Sequence, residues 1–127
     1  VVVAAFASWH ELHDAADRAL ASGARLVAHS ALETYSVLTR LPPPHRTPGP
    51  LVQEFLRERF PEPYLVLPES AHRDLVPTLV DLGISGGATY DALIAVTAVQ
   101  AGARLVSCDR RATLTYQRCG VQVELLA

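Results

Sequence analysis

Four short apolar runs, each separated from the next by a segment of helical spacing, constrain this chain more than any other feature. Residues 25–29, 64–67, 104–108 and 121–125 have the length and content of buried strands. Between and around them, apolar residues recur at helical spacing over 10–21, 32–41, 51–60, 70–82, 89–101 and 110–119. In the first of these helices Leu12, Ala15, Ala16, Ala19 and Leu20 share a face, and Ser22-Gly23 ends it. The segment 89–101 is apolar on nearly every face, which places it in the middle of the fold. Strands alternating with helices predict a parallel sheet joined by right-handed crossovers, here a three-layer α/β/α sandwich. In such sheets ligands bind beyond the carboxyl ends of the strands.

Punctuation is equally local. Residues 41–50 hold five of the nine prolines, so neither a helix nor a central strand runs through them. The stretch reads as a stiff loop and not a boundary, because the pieces on either side are too small to fold alone. Pro77 predicts a kink in the helix over 70–82, and 83–87 predicts a flexible loop. The expectation is therefore one domain over 1–127, large enough to bury a core without disulfides.

Composition narrows the function classes. Half the residues are hydrophobic and 19% are charged, as in a folded globular domain. The net charge of −2 lacks the basic excess of a general nucleic-acid binder, so attraction to RNA would need a local arginine patch and a bound cation. Every one of the 11 basic residues is an arginine, a side chain suited to bidentate phosphate contacts. Cys108 and Cys119 form no disulfide framework and read as inert thiols in a reducing cytoplasm. No apolar run reaches the roughly 20 residues of a membrane span. The opening apolar run has no basic residue ahead of it, unlike a signal peptide. The sequence contains no methionine, and Val1 already reads as helical, so the expectation is a first strand upstream of Val1.

Three acids fall where strands give way to helices: Glu33, Asp91 and Asp109. Each has a purely structural reading. Ser30-Ala31-Leu32-Glu33 is a capping-box pattern, Asp91 is a first-turn acid favoured by the helix dipole, and Asp109 is a candidate N-cap. Parallel strands, however, point their carboxyl ends the same way, and two carboxylates about 4 Å apart repel by roughly 4 kcal/mol at an effective dielectric of 20. A fold gains nothing from that repulsion unless a cation or proton offsets it. Hard oxygen ligands without a histidine or cysteine cluster favour Mg2+ or Mn2+ over zinc. Such a site suits phosphodiester hydrolysis. Arg110 and Arg111, beside Asp109, are candidate RNA phosphate contacts.

Other patterns are weaker. His10-Glu11-Leu12-His13 is not the zinc-binding His-Glu-x-x-His pattern and reads as an exposed helix face. No nucleophile elbow, phosphate-cradling glycine loop or dinucleotide fingerprint is present.

Two segments carry a resemblance. Gly86-Gly87-Ala88-Thr89-Tyr90-Asp91-Ala92-Leu93-Ile94-Ala95, followed by Gly102-Ala103-Arg104-Leu105-Val106-Ser107-Cys108-Asp109-Arg110, resembles the Tyr-Asp-Ala-Leu-Ile-Ala helix and the Asp-Arg strand end of PIN domains, more narrowly of VapC-type toxin ribonucleases. Ser30-Ala31-Leu32-Glu33-Thr34 is similar to the segment carrying that family's glutamate. The resemblance implies a Mg2+- or Mn2+-dependent endoribonuclease acting on transfer or ribosomal RNA, with products bearing a 5′-phosphate and a 3′-hydroxyl. It implies four acidic ligands. Glu33, Asp91 and Asp109 match three, and the fourth, an aspartate at the end of an opening strand, would lie upstream of Val1. Ser107 matches a position where the family often carries a hydroxyl near the metal. The resemblance further implies a cytoplasmic homodimer inhibited by a VapB-like antitoxin whose tail covers the acids, with the proline-rich loop and the helix after it as candidate walls of that groove.

Two other classes compete with the nuclease. One is a PIN-like module that grips RNA or protein without cutting, favoured by the absent first aspartate. The other is a phosphatase or small-molecule hydrolase on a similar sheet, disfavoured because no nucleophile stands at a strand end.

Overall fold

The computed structural model describes all 127 residues, Val1–Ala127. They form two compact units, Val1–Tyr64 with Leu126–Ala127, and Leu65–Leu125.

The first unit is helical. Its elements are α1 (Val2–Phe6), α2 (His13–Ala21), α3 (Ala28–Arg40) and α4 (Gly49–Arg59). Helix α1 packs against α2 and α3, and α3 against α4. Leu26, Ala31, Leu38, Val52, Leu56 and Phe60 make the core, where Leu38 and Val52 have no exposed surface. Phe6 meets Phe55 edge-on at 5.1 Å, and Arg59 lies over the same Phe55 ring while pairing with Asp17 at 2.8 Å. The proline-rich stretch is a loop over 41–48; its last two residues, Gly49 and Pro50, already belong to α4, because a proline in the first turn of a helix gives up no intrahelical bond. The Thr47 N–H donates to the Leu38 carbonyl at 2.9 Å, tying the loop back to the end of α3.

The second unit contains α5 (Glu69–Leu82), α6 (Ala88–Gln100), β1 (Leu105–Ser107), α7 (Thr113–Arg118) and β2 (Val123–Leu125). Strands β1 and β2 pair in parallel with Leu105 opposite Val123 and Ser107 opposite Leu125. The connection through α7 is the expected strand–helix–strand crossover. Helix α6 buries Ala92, Ile94, Ala95, Thr97 and Ala98, which fits its apolar circumference. Its small side chains let α5 and α7 pack against it, and they line two clusters, one with Leu67, Leu75, Leu79 and Ile84 and one with Ala112, Tyr116 and Val121. Gly83 closes α5 in the left-handed region at φ 67°, a conformation costly for residues with a Cβ. Helix α5 runs through Pro77, whose exposed position leaves the unpaired carbonyl one turn back to solvent. No helix is long and apolar enough to cross a membrane.

Several local expectations are corrected. Residues 25–29 and 64–67 are not strands: only Val27 and Leu65 make isolated bridge pairings. Leu26, Val27 and Leu67 are buried all the same, so the apolar runs reported burial and not ladder pairing, which composition cannot separate. Helix α2 begins at His13 and not at residue 10, because the His10 Nδ1 accepts the Leu12 N–H at 3.0 Å and holds a turn there. His13 uses its own Nδ1 on the Ala4 carbonyl at 2.9 Å. The two histidines therefore secure backbone and do not form an exposed helix face. Both cysteines are free and half-buried, and burial pushes the Cys119 thiol up against a smaller lowering by Arg118. Neither belongs to a disulfide.

Candidate active site

Glu33 stands in the second turn of α3, and this overturns the capping-box reading. The helix already starts at Ala28, with Val27 at its N-cap, so Ser30 and Glu33 lie within it. The Ser30 carbonyl instead accepts the Thr34 hydroxyl at 2.8 Å, satisfying a buried polar side chain. With no capping duty, the Glu33 carboxylate is about half exposed and its Oε1 lies 3.4 Å from the His29 Nε2, one turn back. Contacts of this i, i+4 kind on an open surface contribute little to stability. Glu33 is available for a ligand.

Asp91 keeps the position its sequence suggested, in the first turn of α6, where the helix dipole favours a negative charge. It is half-buried on a helix whose next residues, Ala92, Ile94 and Ala95, are all buried. That packing fixes the backbone from which its carboxylate projects.

Asp109 follows β1 by two residues and is not the N-cap of α7, which begins later, at Thr113, with Ala112 at its cap. Its Oδ1 accepts the Arg111 N–H at 2.8 Å, an Asx turn that redirects the chain out of the strand. Its own N–H donates to the Ser107 hydroxyl oxygen at 3.0 Å. Ser107 is buried, so the acid is held from below by a fixed side chain and from ahead by its own turn. The second carboxylate oxygen makes no hydrogen bond within the chain. Arg110 and Arg111 are exposed beside it and form no ion pair.

Ser107 thus has a duty that sequence spacing did not separate from a ligand-side role: it positions Asp109. A Ser107→Ala substitution should cost about 1 kcal/mol of stability for the lost acceptor. If Asp109 is a ligand, the same change should lower cleavage by on the order of tenfold, and Ser107→Thr should restore it; unchanged activity in the alanine variant would show that Asp109 needs no such support.

Glu33 belongs to the first unit, and Asp91 and Asp109 to the second. Within neither unit do three or more His, Cys, Asp or Glu side chains gather into a metal cage. The donor chemistry nevertheless suits a hard cation: all three are carboxylates, and neither Glu33 nor Asp109 pairs with an arginine side chain.

A family profile described as PIN domain matches residues 1–116. The chain belongs to the PIN domain family. Its fold is the α/β fold of that family, to which the parallel β1–α7–β2 unit belongs. Among relatives, the chain is 52% identical over 126 residues to Ribonuclease VapC40 of Mycobacterium tuberculosis, in both strain CDC 1551 / Oshkosh and strain ATCC 25618 / H37Rv, covering 99% of this chain and 94% of the relative. It is 42% identical over 104 residues to Ribonuclease VapC27 of strain ATCC 25618 / H37Rv, covering 82% of this chain and 75% of that protein. No solved structure matches it.

Proposed function

We propose that this PIN domain protein is a VapC-type endoribonuclease, the toxin of a toxin–antitoxin pair, hydrolysing RNA phosphodiester bonds in the cytoplasm. The single observation that carries this reading is the identity of 52% over 99% of the chain to a protein named as a ribonuclease. The residues supply the chemistry. Glu33, Asp91 and Asp109 match three acids of the family pattern and are the proposed ligands of Mg2+ or Mn2+. When bound, such an ion activates water and offsets charge on the phosphate.

The chain's own contributions are orientation and charge. Ser107 holds the Asp109 backbone through its N–H, and the Asx turn to Arg111 sets the direction of the carboxylate. Arg110 and Arg111, unpaired and exposed, are the proposed grip on RNA phosphates flanking the cut. His29 Nε2 lies 3.4 Å from the Glu33 carboxylate, which is in no arginine pair. A VapB-like antitoxin as inhibitor, a homodimer as the working assembly and the whole of 1–127 as one domain complete the proposal.

The test is cleavage of transfer or ribosomal RNA by the protein freed of antitoxin. Cutting should require added Mg2+ or Mn2+, stop with EDTA and return when excess ion is restored, leaving 5′-phosphate ends. Cutting that persists in EDTA would remove the metal from the proposal. Folded protein that binds RNA but does not cut it under any of these conditions would replace the nuclease with a binding module.

A further inference from the structure

An open groove of about 490 Å³ lies at the turn between α3 and α4, lined by Tyr35, Thr39, Pro43, Pro44, Arg46 and Gly49 among others. Tyr35 and Thr39 lie one turn apart on α3 and so share a face. Glu33 is two residues from Tyr35, roughly 200° around the helix, so the groove is not on the face that carries the acid.

The lining contains one guanidinium and no carboxylate. The Arg46 Nε donates to the Leu41 carbonyl at 2.9 Å, which anchors the side chain to its loop. Its remaining nitrogens make no hydrogen bond or ion pair within the chain. His45 lies between two lining residues, and its ring stacks on Trp9 with centroids 4.2 Å apart and planes tilted by 34°. Trp9 and Tyr35 are each about half exposed, at 50% and 47%. Tyr35 and Arg46, in one lining, offer a stacking face and a cation to a flat, anionic ligand. The prolines argue against a peptide strand as occupant, because Pro43, Pro44 and Pro48 offer no backbone N–H for strand pairing.

We infer that this groove binds one unpaired nucleotide of an RNA strand, with its base against Tyr35 and its phosphate on Arg46. The inference rests on the reading of the chain as a protein that acts on RNA. It makes the groove a recognition site away from the face that carries Glu33, which selects substrates with a splayed-out base. Single-stranded loops and bulges are the parts of RNA that proteins read in this way.

Binding is read as the fluorescence anisotropy of an RNA carrying a 5′ dye. The full chain is titrated in EDTA with a short single-stranded RNA of mixed sequence and, separately, with the same RNA as a duplex. A saturable rise in anisotropy is expected with the single strand, and weaker binding with the duplex. Tyr35→Ala and Arg46→Ala should each raise Kd on the order of tenfold. Gly49→Ala should do the same without removing a contact, since its Cβ would stand 2.8 Å from the Tyr35 hydroxyl and displace that ring. Circular dichroism of each variant confirms that it is folded. Absent binding of the single strand, or an affinity unchanged in all three variants, overturns the inference. RNA affinity that survives them while binding of a partner protein is lost assigns the groove to a protein segment, and also overturns it. Cleavage by the wild-type chain with affinity unchanged in all three variants removes this site and leaves the nuclease reading intact; affinity lost in the variants, with no cleavage in added Mn2+, supports the site and removes the nuclease.

Discussion

An Asp91→Asn protein should melt within about 1 kcal/mol of the wild type and cleave RNA more slowly by a factor of about 10² to 10⁴. The stability figure follows from the position of Asp91 in the first turn of α6, where a carboxylate gains roughly 0.3–1 kcal/mol from the helix dipole. Asparagine keeps the shape and a side-chain oxygen that can accept hydrogen bonds, and gives up the charge. The activity figure follows from the proposed role. A metal-ligand carboxylate supports several kcal/mol of charge stabilisation at the reacting phosphate, and each 1.36 kcal/mol is a factor of ten in rate. Single-turnover cleavage in Mn2+, beside a thermal melt, separates the two. Activity within threefold of wild type would take Asp91 out of the site, whatever the melt shows.

The second large effect concerns stability alone. Leu38→Ala should destabilise the protein by about 2–5 kcal/mol, because the side chain is fully buried among Leu26, Ala31, Val52, Leu56 and Phe60 and its removal leaves a cavity. Against a typical net stability of about 5–15 kcal/mol, that is a large fraction of the total. Leu32, on the same helix, is 71% exposed, and its replacement by alanine should stay within about 0.5 kcal/mol. Urea midpoints for the pair measure the contrast. Equal shifts would mean that α3 buries a different face from the one described.

The two effects divide along the chain in a way that bears on function. Helix α3 buries Ala31, Thr34 and Leu38 while leaving Glu33 and Tyr35 exposed. One helix therefore serves the core, the proposed metal site and the groove of the first unit on different faces. Substitutions on it should sort cleanly by face: core positions move the urea midpoint, Glu33 moves the cleavage rate, and Tyr35 moves RNA affinity.

Much of this was legible from residue order. The apolar circumference of 89–101 could only be a buried helix, and it is α6. The runs at 104–108 and 121–125, with a helical segment between them, required a parallel pair, and β1 and β2 are parallel. Four of the five prolines in 41–50 lie in the irregular segment 41–48 between α3 and α4, and the fifth, Pro50, falls in the first turn of α4, where a missing N–H is tolerated. The Tyr90-Asp91-Ala92-Leu93-Ile94-Ala95 segment and the strand end at Asp109 carried the family resemblance. These features are local: they depend on periodicity, on missing N–H groups and on motif spacing, all of which a one-dimensional string contains.

What the tertiary structure decided was the choice among hydrogen-bond partners. Residues 25–29 had the composition of a strand, but a strand exists only where another backbone pairs with it, and there the chain passes into α3 at Ala28. Starting the helix that early moved Glu33 from a cap into a helix interior and released its carboxylate. Likewise Asp109 looked like an N-cap by spacing, yet its oxygen bonds to Arg111 and its N–H to a buried serine, a three-residue arrangement visible only once the end of β1 is built. The groove of Tyr35, Arg46 and the prolines had no signature in the string beyond a stiff loop. Its walls come from residues up to fourteen positions apart, from Tyr35 to Gly49, and only folding sets them around a common space.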